Sequence, residues 1–351
     1  MNLILIHIAV FIINISTGEF QKKKYVTCII AFYNVENLFD TVDDPETLDE
    51  DYTLSGKNHY SVNDYSQKIS QTAQVISEIG TRATVQGPAL IGLAEIENYR
   101  VLQDLVRTEA LQDQYYQIIH QDSPDRRGID VALLYQPALF NPIETETLEL
   151  RLWNEEGARI YTRDILYVKG ILEDEVIHVF VNHWPSRRGG KTRSHPKRMK
   201  AAYLVQKKST QILLEDTDAK ILIMGDFNDD PTDKSIKTGL MSSMGSKNEE
   251  VHNYFNPMEK MHKKGMNTLA YRDGLNLFDQ IIISKSLLFD RQSPKGLFFR
   301  KAGIYNPAYL ISQQGKYKGY PMRSFQNNSY AGGYSDHFPV FIELLKPLSS
   351  D

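Results

Sequence analysis

Ile221-Leu222-Ile223-Met224-Gly225-Asp226-Phe227-Asn228 is the stretch on which the reading of this chain turns. Four consecutive apolar residues bounded by Gly, Asp and Asn read as a short buried strand, and Asp226 and Asn228 stand where that strand leaves the core. A scaffold presents reactive groups at such places, because the strand fixes the backbone while the side chain reaches an open rim. Apolar runs of the same kind recur at Val26 to Tyr33, Ala89 to Leu93, Val131 to Tyr135, Ile165 to Ile171, Val176 to Val181, Gln280 to Ser284 and Phe338 to Leu344. Ile165 to Ile171 and Val176 to Val181 flank a tight acidic turn and read as a hairpin. Helical spacing brings Ile69, Ala73, Ile76 and Ile79 to one face of Tyr65 to Ile79, and Met199, Ala202, Tyr203 and Leu213 to one face of Pro196 to Leu214. The order predicts an α/β (α+β) fold, with a pair of mainly antiparallel β-sheets and helices outside them.

The 351 residues are 41% hydrophobic and 24% charged, the composition of an ordinary globular chain rather than a disordered one. A net charge of -4 excludes a bulk polycation, so any polyanion must be held by a local patch. The single cysteine, Cys28, excludes an internal disulfide and any multi-cysteine metal site, and its apolar neighbours Val26, Ile29 and Ile30 predict a buried thiol. Leu3 to Ile15 is apolar and is followed by Ser16, Thr17, Gly18 and the polar step Gln21 to Lys24. That run is short for a membrane span and reads as a signal peptide over residues 1–21, ahead of one catalytic domain over 25–346. The expected location is secreted or periplasmic, or cytoplasmic if the segment is not an export signal. No transmembrane anchor and no stable protein partner is implied, and a monomer is expected. Residues 305–334, rich in Tyr, Gly, Asn and Gln, read as a long surface insertion.

Five strand ends carry polar groups: Asn34, Glu95, His183, Asp226 with Asn228, and Asp336 with His337; Asp279 heads a sixth strand. Singly, each is a turn former, a helix cap or a satisfied histidine. Together and in this order they point to chemistry.

The motifs Val35-Glu36-Asn37-Leu38-Phe39-Asp40, Glu95-Ile96-Glu97-Asn98, Asn182-His183-Trp184-Pro185-Ser186-Arg187, Gly225-Asp226-Phe227-Asn228 and Tyr334-Ser335-Asp336-His337 resemble those of the endonuclease/exonuclease/phosphatase superfamily, in particular a bacterial, often secreted, nuclease-like branch. The resemblance runs from about Ile29 to Leu344 and implies a four-layer sandwich with the site at one end of two packed sheets. It implies that Glu95 is the principal ligand of Mg²⁺ or Mn²⁺, with Asn34 and Asp336 close by and Ca²⁺ as an alternative second ion. His337 becomes general base or transition-state-stabilising imidazole, held in one tautomer by Asp279. Asp226 and Asn228 orient or deprotonate the attacking water, and His183 faces a phosphate or leaving oxygen. Arg163 stands where the family often has a phosphate-side arginine, or is a surface charge. Asp130 is the residue to orient His183, with Asp122 as competitor, and Glu97 is a partner to a basic neighbour or a second metal ligand.

Between Trp184 and Lys200 lie Arg187, Arg188, Lys191, Arg193, Lys197, Arg198 and Lys200 without an acidic residue. A basic run leaving the rim behind His183, with Gly189 and Gly190 as flexible points, reads as a phosphate contact. Metal, two imidazoles and an oriented carboxylate would together neutralise a phosphodiester, deliver water in line and stabilise the departing oxygen. The expected function is metal-dependent hydrolysis of phosphodiester bonds in DNA or RNA. The alternatives are a phosphatase or sphingomyelinase-type phosphodiesterase acting on small phosphates or lipid head groups, and a catalytically silent binding module.

Overall fold

Every residue from Cys28 to Glu36 is buried, so β1 (Tyr25–Leu38) is covered on both faces. The computed structural model describes residues 25–84, 86–244, 253–271, 274–289 and 296–348. The expected signal segment lies outside the described residues. After β1 come β2 (Leu90–Ile96), β3 (Gln117–His120), β4 (Asp130–Tyr135), β5 (Phe140–Leu148), β6 (Ile165–Leu172), β7 (Glu175–His183), β8 (Lys220–Asp226), β9 (Ser242–Ser243), β10 (Tyr254–Phe255), β11 (Asp279–Ser284), β12 (Phe298–Ile304) and β13 (Val340–Pro347). The main helices are α1 (Val62–Glu78), α2 (Tyr99–Val106) and α3 (Lys191–Glu215).

One sheet runs β12-β13-β1-β2-β4-β3 and the other β9-β10-β11-β8-β7-β6-β5. Each is mainly antiparallel around a central parallel pair, β1 with β2 and β7 with β8. Cys28, Ile30 and Phe32 of β1 pack inward against Val181, Met224, Ile281 and Val340, forming the core between the sheets. Ile29, Ala31 and Tyr33 point the other way, against Ile69 and Ile76 of α1 and Val101 and Leu105 of α2. Phe180, Ile221 and Ile223 pack outward on Ala201, Ala202 and Val205 of α3. The result is the expected sandwich of helix, sheet, sheet, helix. At Gly92 a Cβ would stand 2.7 Å from the Met224 sulfur and 3.0 Å from Val181 Cγ1 of the facing sheet, so a side chain there would require the facing core side chains to shift.

The hairpin between β6 and β7 forms as the acidic turn predicts, with Glu173 and Asp174 both at positive φ (48° and 61°). Five of these strands escape the apolar reading: β3, β5, β9, β10 and β12. β5 carries Pro142, Glu144 and Glu146, which an edge strand tolerates because it has only one neighbour, and β12 is a partly exposed edge strand. α3 begins at Lys191 rather than Pro196: Gly190 (φ 106°) turns the chain in, and Ser194 Oγ and Arg198 Nη2 donate to Lys191 O. The basic segment is therefore a turn followed by a helix, not a flexible loop.

A parallel pair ends at one edge, so Asn34 aligns with Ala94 and Asp226 with His183. The antiparallel neighbours begin at that same edge, with Asp279 opposite Asp226 and Val340 opposite Phe32. Topology alone thus gathers the polar strand ends.

Burial pushes the Cys28 thiol up to about 12, with Glu173 adding to the rise. At pH 8 the native protein should therefore release less than 0.1 equivalent of thiolate colour from Ellman's reagent over an hour, and close to one equivalent in guanidinium, an approximate figure set by thiolate fraction and access. Rapid labelling of the native protein would place β1 outside the core.

Candidate active site

The gathered strand ends line a cavity of about 550 Å³ whose walls include Glu95, Arg163, His183, Asp226, Asn228 and His337. Asp226 is its centre. Its Oδ2 accepts from Asn34 Nδ2 at 3.1 Å and its Oδ1 from the Asn228 backbone at 2.9 Å. The same Oδ2 lies 3.6 Å from His183 Nε2 and 3.9 Å from His337 Nε2. Both imidazoles therefore meet over one carboxylate, at separations that leave room for a further group between them.

The two histidines are electrostatically unlike. Burial, with Arg163 and Arg127 adding, holds His183 well below the usual range, so its ring is neutral. Its Nδ1 is buried without a hydrogen-bond partner among the described residues, while Nε2 faces Asp226 and, at 3.8 Å, Glu95. Facing carboxylates favour the proton on Nε2, which makes this ring a donor into the cavity. In His337, burial works to lower the pKa and is outweighed by Asp279, whose Oδ2 accepts from Nδ1 at 2.7 Å; Asp336 and Asp226 add to the rise. His337 is an imidazolium with Nε2–H directed at Asp226 and, at 3.8 Å, at Asp336 Oδ1. Burial also pushes the Asp226 carboxyl up to about 7, opposed by His337 and reinforced by Asp279.

Glu95 sits at a bulge where β2 slips register against β4, with φ of 65°. Asn228 has φ of 50°. Left-handed backbone in non-glycine residues costs of order 1–3 kcal/mol each, and both residues that carry it here line the cavity. The bulge aims the Glu95 carboxylate inward: Oε2 accepts from the Asn37 amide at 2.9 Å and Oε1 faces His183.

A divalent cation fits this donor set. Glu95 Oε1 accepts no hydrogen bond in the described contacts, Asn34 Oδ1 accepts one, from Glu36 N, and Asp336 Oδ1 stands beyond hydrogen-bond reach of His337. Carboxylate and amide oxygens suit a hard cation. Burial is the main cause of the upward shift of Asp226, and Asp279 and Glu95 add negative charge beside it that a cation would offset. Asp226, Asp279 and His337 form another group with ligand atoms within 4.8 Å, as do His120, Asp122 and Asp130. The first is a hydrogen-bonded pair with a proton between Asp279 and His337, which is a dyad rather than a chelate.

Several expected contacts differ. Asp130 accepts from Ser123 N and Oγ (2.8 and 2.5 Å) and lies 3.2 Å from His120 Nε2, so its carboxylate serves that neighbouring strand and not His183. Asp122 also faces His120, at 3.9 Å. Arg187 does not extend to the cavity: it stacks on Phe278 and pairs with Asp229, Asp230 and Asp233. Lys191 joins Asp233 at 2.6 Å, Arg193 reaches Glu155 at the surface, and Arg198 is buried on Asp229. The acidic partners absent from the basic run come from the segment after Asn228. Arg188 and Lys197 do line the cavity. Arg163 is a buried wall residue, donating to Asp125 Oδ2 at 3.0 Å and Trp184 O at 2.9 Å. Glu97 accepts from the Asp40 amide at 2.5 Å and pairs with no basic residue among the described contacts.

Sequence reasoning missed Asp125, Ser335 and the buried Lys68. Ser335 Oγ donates to Asn34 O at 2.7 Å and accepts from His337 N at 3.0 Å, tying the end of β1 to the segment that leads into β13. Lys68 donates to Val35 O, Ser324 Oγ and Tyr334 O; its signal was a charge on the apolar stripe, four residues before Thr72.

A family model described as Endonuclease/Exonuclease/phosphatase family matches residues 29–346. The chain belongs to that family. Its activity class is accordingly divalent-metal-dependent hydrolysis of phosphoester bonds. Among solved structures, a Bacteroides thetaiotaomicron endonuclease/exonuclease/phosphatase family protein aligns with TM-score 0.55 at 17% identity, covering 93% of this chain and 100% of that one. A B. thetaiotaomicron mannosyl-6-phosphatase aligns at 0.54 and 17%, covering 90% and 99%. Humanized D. rerio TDP2 aligns at 0.52 and 13%, covering 91% and 98%. At these identities the likeness is one of fold. No match is found among curated protein sequences.

In the metal-free protein, the His337 ring should stay doubly protonated well above pH 6.5, and Asp279→Asn should lower its titration midpoint, read from ring ¹⁵N shifts. Because the folded pKa is raised, this pair stabilises fully below the unfolded value and progressively less as pH rises through the folded one. The stability lost in Asp279→Asn should accordingly be larger at pH 6 than at pH 9. An unshifted His337 would contradict the dyad.

Proposed function

We propose that this protein is a nuclease, hydrolysing nucleic-acid phosphodiester bonds by in-line attack of water. The observation that carries the proposal is the convergence of a neutral and a charged imidazole on Asp226, in a cavity whose rim adds Arg188 and Lys197. Glu95, with Asn34 and Asp336, would hold the divalent cation, which when bound neutralises phosphate charge.

The chain's own groups divide the rest. Asp226, with its carboxyl near neutrality, takes the proton of the attacking water, and Asn34 and the Asn228 amide fix the direction of its lone pairs. The His337 imidazolium donates from Nε2 to a phosphoryl oxygen, and Asp279 holds its ring. His183 Nε2–H donates from the other wall to the leaving oxygen. Arg163, fixed by Asp125, supplies a positive wall that adds to burial in keeping His183 neutral.

A second reading, a phosphatase acting on small organic phosphates, is favoured by one observation: Arg187 and Lys191 are held by carboxylates and do not line the cavity. The two readings separate in one assay with Mg²⁺ or Mn²⁺ against plasmid DNA, bis-p-nitrophenyl phosphate and p-nitrophenyl phosphate. The nuclease reading predicts diester cleavage that EDTA abolishes and that His337→Ala reduces by roughly 10²–10⁴-fold. Hydrolysis of the monoester alone would overturn it.

A further inference from the structure

Residues 305–334 do not lie on the surface as a featureless insertion. Ser312 N donates to Tyr320 O, Gly319 N to Ser312 O and Met322 N to Leu310 O, each at 2.8 Å, closing Leu310 to Met322 into a compact hairpin-like loop. Beyond the loop, Phe325 and Tyr330 anchor the chain in an aromatic cluster with Tyr52 and Tyr60. Between this loop and the short strand Leu269–Tyr271 lies a second cavity of about 270 Å³. Its walls include aromatic and hydrogen-bonding side chains: Tyr271, Tyr317, Tyr320, Lys316, Arg323 and Gln326. Tyr317 and Tyr320 stand with centroids 5.9 Å apart, and Lys316 Nζ lies over the Tyr317 ring at 5.7 Å.

This cavity shares a wall with the catalytic centre. Asp336 lines it and gives Oδ2 to Arg323 at 2.5 Å, while the other oxygen faces His337 Nε2. The opposite wall is tied to the same place, because Leu269 bridges His337 and Phe338 N donates to Thr268 O at 2.8 Å. A group seated here is thus one bond path away from the reacting phosphate.

We infer that this loop builds a nucleobase pocket, which takes the unpaired base next to the scissile phosphate. The inference rests on the nuclease reading and narrows it to single-stranded substrate. At about 270 Å³ the cavity lies just below the roughly 300–1,000 Å³ of sites that hold a whole drug-sized ligand, a size that suits a single ring system. Aromatic walls suit any base face, and the side-chain amide and cations among them suit a base edge rather than an acyl chain.

Stacking of one base on a tyrosine corresponds to roughly 5- to 150-fold in affinity. The test compares kcat/KM for a single-stranded oligonucleotide with that for the same strand carrying abasic sugars throughout, using the full chain with Mg²⁺. The wild type should prefer the base-bearing strand by at least about 5-fold. Tyr317→Ala should reduce that preference to within about 2-fold, and Tyr317→Phe should retain it. Equal cleavage of both strands by the wild type, or a preference that survives Tyr317→Ala, would overturn the pocket while leaving the nuclease reading intact. Cleavage of neither strand, with a small phosphomonoester hydrolysed, would overturn both.

Discussion

The hydrogen bond from Asn34 Nδ2 to Asp226 Oδ2 joins the two sheets at their common edge, and the site is assembled around it. Asn34 is the last residue of β1 in regular register with β2, Asp226 ends β8, and the two are 192 positions apart in sequence. A carboxylate buried this deeply is stable only with donors arranged around it. Asn34 and the Asn228 amide provide them, and the two imidazoles face the same carboxylate from 3.6 and 3.9 Å, so the packing of the sandwich and the electrostatics of the site are one problem.

This constraint produces a division of labour between the histidines. They face the same carboxylate, yet one has Asp279 behind it and the other an arginine beside it. Environment alone makes one ring a cation and the other a neutral donor, without any difference in residue type. The strained backbone at Glu95 and Asn228 belongs to the same arrangement, since bulge and turn re-aim side chains that a regular strand would direct into the core or away from the cavity.

Much of this is legible in the chain. Buried strands of a two-sheet sandwich show as unbroken apolar runs, and the polar residues that interrupt their ends are the ones gathered at the rim. The features that stay hidden depend on tertiary pairing. β5 does not read as a strand because Pro142 and its glutamates are acceptable only at an edge. The basic run reads as free because its acidic partners, Asp229, Asp230 and Asp233, lie across a turn some forty residues on. Asp130 reads as the partner of His183, but the pairing of β3 with β4 brings His120 beside it first. Lys68 is buried by contacts to three segments that no local pattern connects.

The central claim is that Asp226, between two unlike histidines, marks the place of the reacting phosphate, with the cation held at Glu95. Crystals soaked with Mn²⁺ and a phosphate mimic such as vanadate test it directly by anomalous diffraction. The account predicts a manganese peak against a Glu95 oxygen, and the mimic within hydrogen-bond reach of both His183 Nε2 and His337 Nε2. Manganese at His120, Asp122 and Asp130 instead, or a mimic that touches neither histidine, would contradict it.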